Sequence, residues 1–473
     1  MTFIGEATVT VADGGLGARQ QTDLPLAVVG CSSSGTAATP VLISSIAHAI
    51  ETFGHGPLTE AIATILRYGA GPVVGCRATA STAGSESAVS LTGTGTAVLS
   101  VTTSGARDAY GIRVKITRAG ANLAAATAAM QLSIDGGTTY GEETAVPVGG
   151  VFTVGNTGVG VTFADGTFVA DDVYAITCTA PVFNSANASA AVTALLSSTI
   201  DHEGIFVVGP VTGTIYSALA TLVADAEADG VYRWLLCEPR VQGSDSVGTF
   251  TAAIISDFAD DASPHGAVCA GEALQLSAGI GGTHRRNVAR LYAARLAAIS
   301  ASGRSQRLAE SPMRVRSGAV AGLDAGALYH DMRVLTTLTG GRFCGLQSIV
   351  GRTGHYCTTR STAAAGSDLT DIARVRVIKA AQRALLGILT AQIGDTVPLT
   401  SSGTIQPAVA AALDAQLGAA FSREMEGMIS SSSVAVDRTN NIATTSTLLA
   451  SFRMVPLGYT TAITATVGYE IGS

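Results

Sequence analysis

The spacing of apolar positions changes repeatedly along the chain, and each change predicts a different kind of element. Residues 1–20 open with a two-residue period, Ala7, Val9 and Val11 alternating with Thr8 and Thr10, before a glycine-rich break at Gly14–Gly17. That is the pattern of a detached strand or arm. A continuous apolar run from Leu24 to Gly30 then predicts a buried strand, helical periodicity covers 46–53 and 58–68, and Pro72–Arg77 predicts a second buried strand. The opening therefore reads as β-α-β.

From 81 to 195 the pattern turns to short alternating strands punctuated by turns. Leu132–Gly137 and Phe163–Phe168 carry Asp-Gly hairpin signals. Strands at roughly ten-residue spacing predict an all-β, sandwich-like domain inserted into the α/β segment. After it, strands at 204–209, 232–237 and 265–270 alternate with helices at 214–229, 247–260 and 284–300, the rhythm of a layered α/β domain.

The last hundred or so residues predict a helix over 368–393, with Ile378, Leu385 and Ile388 on one side and Arg374, Arg376, Lys379 and Arg383 around the others. A second helix starts at Pro407 and runs to about 429. Strands follow at 434–437, 442–455 and 459–471, with Ser430–Ser433 as a polar hinge. The final strand alternates strictly: Tyr459, Thr461, Ile463, Ala465, Val467, Tyr469 and Ile471 share one face. The predicted fold class is α/β (α+β), a layered core with an inserted all-β sandwich-like domain and extended terminal strands. The predicted divisions are an arm at 1–20, core at 21–80, insert at 81–195, core at 196–367, a carboxy-terminal domain at 368–457 and an arm at 458–473.

Composition sharpens this picture. Of 473 residues, 47% are hydrophobic and only 13% charged, where ordinary domains carry roughly a quarter charged residues. Disorder is excluded, and despite a mean hydropathy of +0.38 no window supplies the ~18 consecutive apolar residues of a spanning helix. Lys115 and Lys379 are the only lysines, and the net charge of -7 gives no electrostatic case for nucleic acid or an anionic membrane as partner. The seven cysteines form no CxxC pair, so they read as small buried apolar residues and no metal is expected. The start, Met1–Glu6, lacks the basic and apolar regions of an export signal, which predicts folding in a reducing compartment.

Candidate chemistry is sparse. Gly30–Ala37 follows a strand like a phosphate loop, but Thr36 stands where the lysine should be. Cys344, His355 and Cys357 are close in sequence, which is no evidence for a nucleophile pair. Asp165, Asp171 and Asp172 do not have calcium-loop spacing. His284-Arg285-Arg286, after Gly281-Gly282-Thr283, is placed at a helix start where an anion is conceivable. No constellation supports catalysis or a cofactor, so the expectation is a non-enzyme.

The order of segments does resemble a family. Leu26–Gly30 with Gly35, Pro40–Ser45, Phe53-Gly54, Leu58–Ile62 and Tyr68–Arg77 are similar to the amino-terminal part of contractile phage tail sheath proteins. Ser133–Tyr140 and Phe168–Pro181 resemble the β insertion of Mu-like members. Asp371–Arg383, Val434–Asn441 and Phe452–Gly458 resemble the carboxy-terminal part, while residues 300–340 carry none of the resemblance.

The resemblance implies a structural subunit that polymerises with itself as a six-start helical cylinder around a tail tube protein. On a baseplate trigger the cylinder contracts and drives the tube through the host envelope, with baseplate and tail terminator proteins as further partners. It implies a virion component assembled in the bacterial host cytoplasm, without direct contact to nucleic acid or membrane. Subunits would be linked by terminal strands, with Ala7, Val9 and Val11 at one end and Tyr459, Thr461, Ile463, Ala465, Val467 and Tyr469 at the other. The inner domain would face the tube, with Arg374, Arg376, Lys379 and Arg383 as contact candidates, and the insert would lie outside. The alternatives are an exported surface adhesin or binding module, and an α/β enzyme.

Overall fold

The computed structural model describes residues 24–69, 71–261, 263–301, 303, 330–358 and 369–458. The strand candidates Ala7, Val9 and Val11, and Tyr459, Thr461, Ile463, Ala465, Val467 and Tyr469, lie outside the described residues. The described chain begins with β1 (Leu26–Gly30), β2 (Pro40–Ile43), α1 (Ile46–Phe53), α2 (Pro57–Tyr68) and β3 (Val73–Arg77). Ser45 caps α1 by accepting the His48 N–H, and Pro57 starts α2 where its missing N–H costs nothing. β1 pairs with β3 in parallel, and β2 lies antiparallel on the outer side of β3.

The insert follows as strands only: β4 (Ser85–Glu86), β5 (Ser90–Thr92), β6 (Leu99–Thr103), β7 (Gly111–Arg118), β8 (Ala129–Ser133), β9 (Thr144–Ala145), β10 (Val151–Thr153), β11 (Gly160–Phe163) and β12 (Val173–Thr179). They form a sheet in the order β4-β12-β7-β8-β9, with β5 also on β12, and a second sheet in the order β10-β11-β6. Ile112, Val114, Tyr174 and Ile176 from the first sheet share a hydrophobic cluster with Leu99, Val161 and Phe163 from the second. The alternation is visible in β7, where every second residue is buried. The Phe163–Phe168 turn does not close a hairpin: β11 and β12 belong to different sheets, so this turn carries the chain from one to the other.

The strand region ends earlier than residue 195, because Ser185–Leu196 is a helix, α3, capped by Asn184. Then come β13 (Ile205–Val207), α4 (Gly213–Ala228), β14 (Leu235–Cys237), α5 (Val247–Asp257), β15 (Gly266–Val268), β16 (Glu272–Leu276), β17 (Thr283–Asn287) and α6 (Ala289–Ala297). The central sheet has the order β15-β14-β13-β1-β3-β2, parallel except for β2. Its near-continuous apolar strands are those of a sheet covered on both faces. Leu26 and Val28 pack against α1, α2 and α6, while Ala27 and Val29 pack against α3, α4 and α5. Gly75 in β3 is required by this packing, since a Cβ there would lie 2.5 Å from the Phe53 ring. The predicted helix over 284–300 is half strand: His284–Arg286 pair with Ala273–Gln275 across the β16–β17 hairpin, and the helix begins only at Ala289.

The remaining elements are α7 (Thr336–Gly340), β18 (Leu346–Gln347), β19 (Tyr356–Cys357), α8 (Ile372–Thr390), α9 (Pro407–Glu424), β20 (Ile429–Val436), α10 (Ile442–Thr445) and β21 (Ala450–Pro456). Ser430–Ser433, expected to be a hinge, lie inside β20 and pair with β21. The strand expected over 442–455 is instead a short helix followed by β21. All seven cysteines are buried and free. No helix of the described residues is long and apolar enough to cross a membrane.

Candidate subunit interface

Among the described residues, the carboxy-terminal helices and ribbon border a broad apolar groove. Helix α8 is capped by Asp371, whose carboxylate accepts the Ala373 N–H 3.0 Å away. Its first turns join the α/β core through Ile372 and Val375, and farther along Val377, Ala380 and Ala381 pack with Phe421, Met425 and Met428. The opposite side of this second cluster is the ribbon β20–β21, paired antiparallel from Val436 against Ala450 to Ile429 against Pro456. Between helix and ribbon runs a groove of about 730 Å³, lined by Ile378 and Leu385 of α8 and by Phe452, Met454 and Pro456 of β21, with Arg374 and Arg453 among its polar groups. Among the described residues no third strand pairs with β20 or β21. The ribbon thus ends in main-chain edges that can accept a strand, beside apolar surface that can accept its side chains.

The four cations of α8 do not form a patch on this surface. Arg376 is buried, donating to Glu203 through Nε (2.7 Å) and Nη2 (2.8 Å) and to the Ile299 carbonyl (2.9 Å), with its guanidinium 6.0 Å from the Trp234 ring centroid. Lys379 is also buried, with Nζ 2.6 Å from Glu227, which further accepts from Gln382. Burial disfavours the charged Glu227 carboxyl, but these donors outweigh it and hold it below its ordinary range. Arg383 is half-buried and donates to the Tyr232 carbonyl at 3.0 Å. Arg374 alone of the four is exposed. The grouping of all four as tube-contact candidates is corrected to this extent: Arg376 and Lys379 are buried and join the carboxy-terminal domain to the core, because Glu203 and Glu227 stand opposite them. Those two acids escaped the sequence reading, since nothing in local spacing links residues more than 150 positions apart.

The other candidates are structural. Arg77 fills the Gly30–Ala37 loop, donating to the carbonyls of Ser32 (3.1 Å) and Gly35 (2.8 Å). Cys344 and Cys357 lie in the hydrophobic core, where burial pushes the Cys357 thiol up. Asp172 accepts the N–H groups of Thr94 and Gly95, Asp171 pairs with Lys115 at 2.8 Å, and Asp165 accepts the Leu123 N–H. Among the described residues no group of three or more His, Cys, Asp or Glu could hold a metal ion.

Comparison with known proteins adds to this geometry. The family model described as DUF2586, N-terminal domain, matches residues 4–361, most of the chain. The chain belongs to the DUF2586 family. No curated protein matches this DUF2586 chain in sequence. Among solved structures, the sheath complex of the extracellular contractile injection system PVC, in its contracted state, aligns over 100% of this chain and 99% of its own, with a TM-score of 0.52 and 8% identity. The helical sheath of the anti-feeding prophage, also contracted, aligns over 99% of both chains with a TM-score of 0.49 and 11% identity. The sheath tail protein Lin1278 from Listeria innocua aligns over 92% of this chain and 96% of its own, with a TM-score of 0.43 and 10% identity. The PVC likeness shows that this DUF2586 member has the mixed α/β fold of a contractile-system sheath protein.

Proposed function

We propose that the chain is the structural subunit of a contractile sheath, polymerising helically by adding a strand from one copy to the β20–β21 ribbon of another. The ribbon carries the reading: its strands have no third partner among the described residues, and β21 borders an apolar groove. The fold likeness to the PVC sheath chain over both full lengths supports it. A heterologous joint of this kind does not close on itself and generates a helix of subunits. Such a subunit works by a change of packing rather than by chemistry, driving a tube through the host envelope when the cylinder shortens. A tube protein and end-capping baseplate and terminator proteins are its partners, and the sandwich-like insert faces outward. Of the four cations on α8, the exposed Arg374 is the candidate for tube contact.

Negative-stain microscopy of the purified chain tests this. Hollow tubes or helical fragments are expected from the full chain, and only monomers from a chain lacking 458–473. A full chain that stays monomeric at high concentration overturns the sheath reading. Tubes that persist after truncation overturn the strand-addition joint at that end.

A further inference from the structure

Two physically different attachments of the insert to the core stand out. One is covalent and narrow: the chain leaves the core at Thr82 and returns at Val182, and these residues exchange backbone hydrogen bonds (Thr82 N–H to the Val182 carbonyl, 3.1 Å; the reverse, 3.0 Å). The other is the β16–β17 hairpin. This hairpin belongs to the core, since Ser277 donates to Glu60 of α2 at 2.6 Å and Arg285 donates to Gln242 at 2.7 Å.

Against this hairpin the insert places two carboxylates. Asp108 accepts from Arg286 Nη2 at 3.0 Å, while Arg286 Nη1 donates to the neighbouring Ala109 carbonyl at 2.8 Å. Asp135 accepts the Thr283 N–H at 3.0 Å, with its own position fixed by the Ser133 hydroxyl and by the hydroxyl and N–H of Thr139. The Tyr110 ring meets His284 edge-on at 5.9 Å, and Ile280 reaches into the insert's cluster. The backbone at Arg107 also approaches the Gly56 loop. Contact made largely through directional polar bonds resembles the interface between two domains more than a shared core.

We propose that the β16–β17 hairpin is a releasable mount: Asp108 and Asp135 hold the insert in one orientation, and losing them leaves the Thr82–Val182 neck as a hinge. The His284-Arg285-Arg286 run thereby acquires a role that the sheath reading does not require. Both carboxylates are buried, so the mount is a charge-assisted contact whose partners cannot be replaced by water without moving the insert. Burial disfavours the charged form of Asp135, but its donors prevail and hold its carboxyl below the usual range, which keeps the mount engaged at neutral pH.

Hydrogen exchange on the full chain tests it, comparing the wild type with Asp108→Asn plus Asp135→Asn, which keep the side-chain volume. Amides of 277–287 should exchange roughly tenfold or more faster, the fold-change of losing a hydrogen bond to a charged group. Strands β7 and β12 of the insert and β1 of the core should keep wild-type protection. Exchanging the partners, Asp108→Arg with Arg286→Asp, should restore slow exchange, and Arg286→Gln alone serves where the double variant does not fold. Unchanged exchange at 277–287 overturns the proposal, as does a uniform acceleration of insert and core together, which would make them one cooperative unit.

Discussion

At the scale of single residues, the chain hides charge where spacing alone suggests a solvated face. Arg376 is only 1% exposed, and its bidentate bond to Glu203 is the geometry in which a guanidinium is most useful. Removing one partner of such a pair leaves a buried charge alone. Arg376→Ala should therefore cost about 3–5 kcal/mol, while Arg376→Met with Glu203→Gln should cost clearly less. Urea unfolding followed by circular dichroism measures both, and equal losses would mean that the two groups are not coupled. Buried histidines give a pH signature. Burial, reinforced by Arg233 at one site and Arg286 at the other, pushes His202 and His284 down to about 4 from an ordinary 6.5. The folded chain keeps both neutral, whereas the unfolded chain takes up protons as soon as pH falls below 6.5. Their contribution is thus intact above pH 6.5 and declines toward pH 4, by on the order of 3 kcal/mol per histidine. Thermal melts across that range should show the midpoint falling, with His202→Gln flattening the slope; a flat wild-type profile would contradict buried, neutral imidazoles.

At the scale of elements, what was legible followed from local period and what was lost followed from distant partners. The continuous apolar run of β1 and the alternation of β7 are visible in the sequence because burial on two faces or one dictates them. Ser430–Ser433 were misread because serine is a turn residue in isolation. In β20 Ser430, Ser431 and Ser433 face solvent, and the backbone pairs with β21 whatever the side chains are. His284–Arg286 were misread as the start of a helix because the partners of Arg285 and Arg286, Glu272 and Asp108, lie 13 and 178 positions away, where no local spacing shows them. The groove between α8 and β21 was invisible for the same reason, being assembled from residues 369 to 456. Its role is tested by Leu385→Glu with Met454→Glu. Both positions are half-buried and line the groove, so the melting temperature should fall by only a few degrees while tube formation is lost. Normal tubes from this variant would move the joint elsewhere.

At the scale of the whole molecule, the low charged fraction understates how neutral the outside is. Among the 13% of residues that carry charge, Glu60, Asp108, Glu203, Glu238, Glu272, Arg290, Arg376 and Lys379 are all buried. They tie helices, insert and carboxy-terminal domain together and contribute little to the field outside. A surface so depleted suits a subunit whose neighbours are copies of itself, because charged groups would have to be desolvated at every joint. In the proposed joint, main-chain hydrogen bonds and apolar contact carry assembly, and neither is screened by salt. Sedimentation of polymer at about 50 mM and about 500 mM sodium chloride should therefore differ by less than about twofold, even though the Debye length shrinks from over 10 Å to under 5 Å across that range. Sulfate, which strengthens apolar burial, should increase the polymer fraction. A steep loss of polymer with sodium chloride would place ion pairs at the joint, and the exposed Arg374 and Arg453 at the groove would be the first to substitute.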